Sequence, residues 1–198
     1  MSQFIESIQL CDGAFKRLEF HQQRINAAFA DFYPLLSPFS LHDCLAQSDF
    51  PADGLYKCRV EYDEKVSLVE YIPYIIREVK SLKLVTTTLP CLPYKMVDRT
   101  VLNKLYAQRG ECDDILMVRN GLITDAWVAN VALYDGEKWY TPRLPVLMGT
   151  QRAALIFSEE IFEKDIYIDD LMNFKSIRLF NAMIEFGQIE LNPWSICK

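Results

Sequence analysis

Histidine is scarce in this 198-residue chain, with only His21 and His42, so a three-histidine metal site is excluded. No C-x-x-C pair occurs among the six cysteines (Cys11, Cys44, Cys58, Cys91, Cys112, Cys197), which argues against a zinc ribbon or a redox dithiol. They read as reduced core or surface thiols. No window reaches the roughly 18 apolar residues of a membrane span, and the first residues carry neither a basic n-region nor a long apolar stretch. A cytoplasmic chain with no membrane partner is the expectation. Basic residues number 21 against 27 acidic ones, a net charge of −6 without any basic run, which speaks against nucleic acid as a partner. Walker, G-x-G-x-x-G, H-E-x-x-H and G-x-S-x-G motifs are all missing.

What is present is a globular composition, 51% apolar and 24% charged. The opening Phe4-Ile5-Glu6-Ser7-Ile8-Gln9-Leu10 alternates with period two up to the Asp12-Gly13 turn and predicts a strand. Apolar residues at helical spacing predict a helix over 18–33, ended by Pro34, and Ser40 is placed to cap a short helix over 40–47. Three strands are predicted at 55–62, 66–71 and 80–88. The segment Thr88-Leu89-Pro90-Cys91-Leu92-Pro93 reads as a linker, because its prolines force extended backbone. Beyond it we expect a helix over 99–109 closed by Gly110, then short strands at 115–118, 122–127, 130–134 and 139–141. Asn120-Gly121 and Asp135-Gly136 both signal type I′ hairpins. A helix over 150–161, a strand near Ile166 and a strand over 177–183 complete an α+β chain. The expected domains are a smaller lobe over 1–88, the linker over 89–93 and a larger lobe over 94–198.

Lys95 follows that linker between Tyr94 and Met96-Val97. An ammonium among apolar neighbours is partly desolvated, which lowers its pKa and makes the amine nucleophilic. By itself this reading competes with an ordinary interface lysine.

Read in order, seven motifs align with one family. Phe4-x-Glu6-Ser7-Ile8, His21-x-x-Arg24, Lys95-x-x-Asp98-Arg99, Ile123-Thr124-Asp125-x-x-x-Ala129-Asn130-Val131, Tyr140-Thr141-Pro142, Gly149-x-x-Arg152 and Leu179-Phe180-Asn181-Ala182 resemble the class IV aminotransferases. These are the fold-type IV enzymes that use pyridoxal 5′-phosphate. Within the family the pattern is most similar to the aminodeoxychorismate lyases. It departs from them where the chain begins directly at the strand carrying Glu6, where Asp125 replaces a usual Glu, where Trp127 replaces a small residue, and where no Arg-Gly-rich loop follows Arg59.

The resemblance implies a two-lobed fold of the D-amino acid aminotransferase type with a truncated N-terminal lobe. It implies Lys95 as the Schiff-base lysine and proton shuttle, and Asp125 as the partner of the pyridine nitrogen. Arg24 is implied to grip the cofactor phosphate, with His21 one helical turn away as its orienter. Gly149, Thr150 and Gln151 would present a helix N-terminus to the same phosphate, and Asn181 and Ala182 would line its pocket. Ser7 is implied to assist protonation of a leaving group, and Arg59 is the candidate to bind a substrate carboxylate. The implied reaction is pyruvate elimination from 4-amino-4-deoxychorismate, a small-molecule substrate, to give para-aminobenzoate for folate synthesis. Aminotransfer on branched-chain or D-amino acids, or cofactor binding without turnover, are the alternatives. A homodimer is implied as well, and no metal.

Overall fold

A computed structural model describes residues 3–197, which fall into two units. The first comprises residues 3–76 and Pro93–Asp98, and the second comprises Arg77–Leu92 and residues 99–197.

In the first unit, β1 (Phe4–Cys11) turns at Asp12-Gly13 into β2 (Ala14–Phe15), with φ of 47° and 74° at the two turn residues. Only glycine and short polar residues reach that left-handed region at low cost, so this turn was encoded locally. Helices α1 (Leu18–Phe32) and α2 (Leu41–Ala46) follow, then β3 (Leu55–Tyr62) and β4 (Val66–Pro73). Ser40 caps α2 as expected, its Oγ accepting from Asp43 N at 3.2 Å. The strands form an antiparallel sheet in the order β2-β1-β3-β4.

Alternation along β1 and β3 gives this sheet two unlike faces. Phe4, Ile8, Cys58, Val60 and Tyr62 pack with Ile25, Ala28 and Phe29 of α1 and with Leu41 and Leu45 of α2. The opposite face carries Ser7 and Arg59, which are directly cross-strand, with Glu70 beside Arg59 on β4. Residues 95–97 lie along β1, with Ile5 N donating to Lys95 O at 3.0 Å and Val97 N to Gln3 O at 2.9 Å. Tyr94 and Met96 pack against the apolar core, which leaves Lys95 on the polar face.

The second unit contains β5 (Leu82–Thr86), α3 (Thr100–Tyr106), β6 (Asp114–Arg119), β7 (Leu122–Ala126), β8 (Asn130–Tyr134), β9 (Trp139–Pro142), α4 (Thr150–Phe157), β10 (Phe162–Lys164), β11 (Ser176–Asn181), β12 (Ile184–Leu191) and β13 (Ile196–Cys197). The sheet order is β10-β9-β8-β7-β6-β5-β13, and the β11–β12 hairpin joins it through β11 on β8. Between β7, β9 and β11, the stretch Asn130–Leu133 of β8 is buried throughout.

Three expectations need correction. The boundary at 89–93 does not divide the chain into 1–88 and 94–198. β5 pairs in parallel with β6 (Leu82 with Asp114), which draws residues 77–92 into the second unit, and the Lys95 segment returns to the first. The strand expected near Ile166 lies instead at Phe162–Lys164, beside β9. Asp135-Gly136 makes no two-residue hairpin: Tyr134 faces Trp139 across a loop of 135–138, and Asp135 Oδ1 accepts from the amides of Glu137 and Lys138 at 2.9 Å. The aspartate side chain there outcompetes the tight turn for the backbone donors.

Candidate active site

On the polar face of the first unit, Lys95 Nζ donates to Ser7 Oγ at 2.9 Å. Both positions follow from alternation, because the neighbours of each, Phe4 and Ile8 for β1 and Tyr94 and Met96 for the Lys95 segment, are committed to the core. Phe4 and Tyr94 meet edge to face at 5.5 Å, which anchors the segment next to the lysine. Arg59, across from Ser7, is bound by two carboxylates: Nη1 donates to Glu70 Oε1 at 2.5 Å, and Nη2 donates to Glu61. Arg59, the candidate for a substrate carboxylate, thus meets two carboxylates of its own sheet.

Glu6 points the other way, into the apolar core, and a buried carboxylate there requires partners. It takes Arg24 Nε at 2.9 Å, Arg24 Nη2 at 2.5 Å and His21 Nδ1 at 2.5 Å, all three groups being buried. Burial alone would raise its pKa, but the Arg24 charge and the bonds from His21 and Arg24 pull it down to about 2. Burial lowers the pKa of His21. The fork expected to face a phosphate thus faces Glu6 through Nε and Nη2, leaving Nη1 outside that pair.

In the second unit, Asp125 on β7 is 4% exposed and organises a loop. Its Oδ1 accepts from Asn130 Nδ2 at 2.8 Å, and its Oδ2 from Val146 N at 2.7 Å and Leu147 N at 2.9 Å. Burial pushes its pKa up to about 6, against the pull of those donors and of Arg152. Asn130 also donates to Leu147 O at 2.8 Å, so two side chains clamp the strand-like run that leads into α4.

Gly149 caps that helix without a side chain, and a Cβ built there would collide with Asn130 Oδ1. Its φ of −70° is ordinary, so the glycine is required by close approach and not by backbone strain. Thr150, Gln151 and Arg152 in the first turn of α4 are buried. Arg152 Nη2 donates to Pro142 O at 2.9 Å and Glu163 Oε1 at 2.6 Å, fastening α4 to β9 and β10. Asn181 ties a turn: its Oδ1 accepts from Met183 N and Ile184 N, and its Nδ2 donates to Val128 O at 2.9 Å. Its polar atoms are spent on backbone, and Ala182 lies in the same turn.

Sequence reasoning assigned no role to Glu6, Asn130 or Glu163. Glu6 was detectable, as a carboxylate at a core-facing position of an alternating strand. Asn130 and Glu163 were not, because their partners come from distant segments.

The residues present suit a phosphate-bearing pyridine cofactor. The α4 N-terminus has no side-chain cap from Gly149, and such an end favours an anion. Three donors on the two oxygens of Asp125 leave acceptor capacity for one more.

The family model for amino-transferase class IV matches residues 89–191. An uncharacterised protein of Haemophilus influenzae is 30% identical over 185 residues, covering 92% of this chain and 98% of that protein. Among solved structures, a candidate 4-amino-4-deoxychorismate lyase from Haemophilus somnus superposes with a TM-score of 0.86 at 33% identity, covering 93% of this chain and 97% of that one. The pyridoxal-phosphate-bound form of a hypothetical aminotransferase from Mycobacterium tuberculosis gives a TM-score of 0.73 at 18% identity, over 95% and 80% of the two chains. No helix among the described residues is long and apolar enough to cross a membrane.

Proposed function

This chain belongs to the class IV aminotransferase family of pyridoxal-phosphate-dependent enzymes, and from that premise we propose that it is a 4-amino-4-deoxychorismate lyase. The observation that carries this reading is the Lys95 amine held on Ser7 Oγ, on the polar face of a sheet whose other face is core. Lys95 would hold pyridoxal 5′-phosphate covalently. As the family resemblance implies, Asp125 would pair with the ring nitrogen, and Arg24, Gly149, Thr150 and Gln151 would serve the phosphate. When bound, the cofactor supplies an electron sink for the electron pair left behind by a departing proton.

The chain's own residues do the rest. Lys95 Nζ, once released by the incoming substrate amine, takes the proton from the ring carbon beside it. Ser7 Oγ orients that amine and can hand a proton to the departing enolpyruvyl group. Asp125, held by Asn130 and two backbone amides, stays fixed where a cationic ring nitrogen favours its ionised form. Elimination is favoured over aminotransfer because Arg59, the candidate receptor for an α-amino acid carboxylate, is already neutralised by Glu61 and Glu70.

Borohydride reduction of the protein with pyridoxal 5′-phosphate, followed by peptide mass spectrometry, should place the label on Lys95. A label on another lysine refutes the site. Incubation with 4-amino-4-deoxychorismate should release pyruvate and para-aminobenzoate. Amino-group transfer from L- or D-amino acids to 2-oxoglutarate, without that release, refutes the lyase reading, as does a labelled Lys95 with no turnover of either kind.

A further inference from the structure

The polar face of the first unit's sheet continues past Lys95 and Ser7. Along β1 it reaches Gln9, two residues on and so about 7 Å from Ser7, and Gln9 lies directly across from Lys57 of β3. Gln9 is buried and Lys57 half-buried. The chain returns to this spot after the β1–β2 turn: Lys16 N donates to Gln9 O at 2.9 Å, and Arg17 Nη2 donates to Gln9 Oε1 at 3.1 Å. Gln9 is neutral, so this bond aims the guanidinium without neutralising it. Arg17 is held there against local preference. It is the N-cap residue of α1 at φ 56° and ψ 35°, the left-handed region that favours glycine, and its side chain makes no capping bond. Its charge also stands at the helix end that favours anions. Backbone strain on a non-glycine residue points to a position kept for its side chain.

We propose that Arg17 and Lys57, with Gln9 beside both, form the subsite for the ring carboxylate of the substrate and so select a carboxylate para to the reacting amine. The inference rests on the lyase reading and deepens it. In 4-amino-4-deoxychorismate the amine and the ring carboxylate stand at opposite ends of a six-membered ring, a separation that suits the step from Ser7, the partner of the Lys95 amine, to Gln9. An α-amino acid carries its carboxylate one carbon from the amine and does not span that step. Arg17 offers a planar fork to the two carboxylate oxygens, and Lys57 adds a second positive charge. Arg59, across from Ser7 itself, is taken up by Glu61 and Glu70.

The test measures binding to the cofactor-loaded protein of 4-aminobenzoate, which keeps the para amine and carboxylate, and of 4-aminobenzamide, which lacks the charge. Wild type should bind the benzoate roughly tenfold or more tightly than the amide. Arg17→Gly relieves the left-handed strain, so it should unfold no earlier than wild type while losing this preference. Lys57→Gln should lose part of the preference, and Arg17→Lys should keep part of it. In turnover, Arg17→Gly should raise KM for 4-amino-4-deoxychorismate by a similar factor with kcat little changed. A folded Arg17→Gly protein that still prefers the benzoate overturns the subsite, and so does a wild type that binds both compounds alike. Failure of the lyase reading is seen separately, as no pyruvate release by wild type.

Discussion

Replacing Glu6 with Gln removes one charge from a buried group of three and leaves the Arg24 guanidinium, 7% exposed, without its counter-ion. The magnitude follows from the carboxylate's displacement from 4.5 to about 2. At 1.36 kcal/mol per unit this is about 3 kcal/mol of stability at neutral pH, in line with the roughly 3–5 kcal/mol of breaking a buried pair. For a chain of this size, about 3 kcal/mol corresponds to a fall in Tm of roughly 6–12 °C. The pH dependence fixes the mechanism. A depressed carboxylate stabilises the fold fully above its unfolded value near 4.5, and that contribution is lost as pH falls toward 2. His21, also depressed, acts in the same direction, its contribution fading below its unfolded value of 6.5. Urea denaturation of wild type and Glu6→Gln across this range should show a gap of about 3 kcal/mol at neutral pH, shrinking below half by about pH 3. A gap under about 1 kcal/mol at neutral pH, or one that does not narrow with acid, would refute the reasoning.

Gly149→Ala should lower stability by about 1–3 kcal/mol, because the added Cβ drives Asn130 away from Asp125 and Leu147; calorimetry on the variant checks this, and an unchanged Tm contradicts the clamp. Asp125→Asn keeps an acceptor for the Val146 and Leu147 amides but removes the charge. The variant should retain bound cofactor, seen as the labelled Lys95, while losing roughly two orders of magnitude in rate, and full activity would show that the ring nitrogen is held some other way. A homodimer is expected from the family resemblance, and light scattering should report about twice the 23.0 kDa chain mass. A monomer that still turns over substrate refutes a shared site.

Local chemistry made much of this protein readable in one dimension. Alternation in 4–10, the helical spacing in 18–33, the Ser40 cap and the left-handed Asn120-Gly121 turn (φ 54° and 79°) all depend on neighbours a few residues apart. The same alternation, once Tyr94 and Met96 are seen to be apolar, puts Lys95 on the face away from the core. Sequence also carried the family, because Lys95, Asp125, Asn130 and Gly149 stand at characteristic spacing. Yet β12 escaped notice although Ile184, Ile189 and Leu191 bury their side chains along it, since a glycine interrupts the pattern.

What only the tertiary structure decided is where each polar group's partner comes from. Arg24 and Arg59 are alike in sequence, each an arginine in the first third of the chain. One meets a single buried carboxylate facing the core, and the other two carboxylates on a polar sheet face. The parallel pairing of β5 with β6 likewise overrode a boundary that prolines had suggested, because backbone hydrogen bonding must be satisfied wherever it is buried, whatever the local punctuation. Asp125 shows the reason most plainly: its donors lie 5, 21 and 22 residues away. Short-range pattern specifies which residues form strands and turns, but the identity of a buried charge's partner is set by long-range closure of the chain.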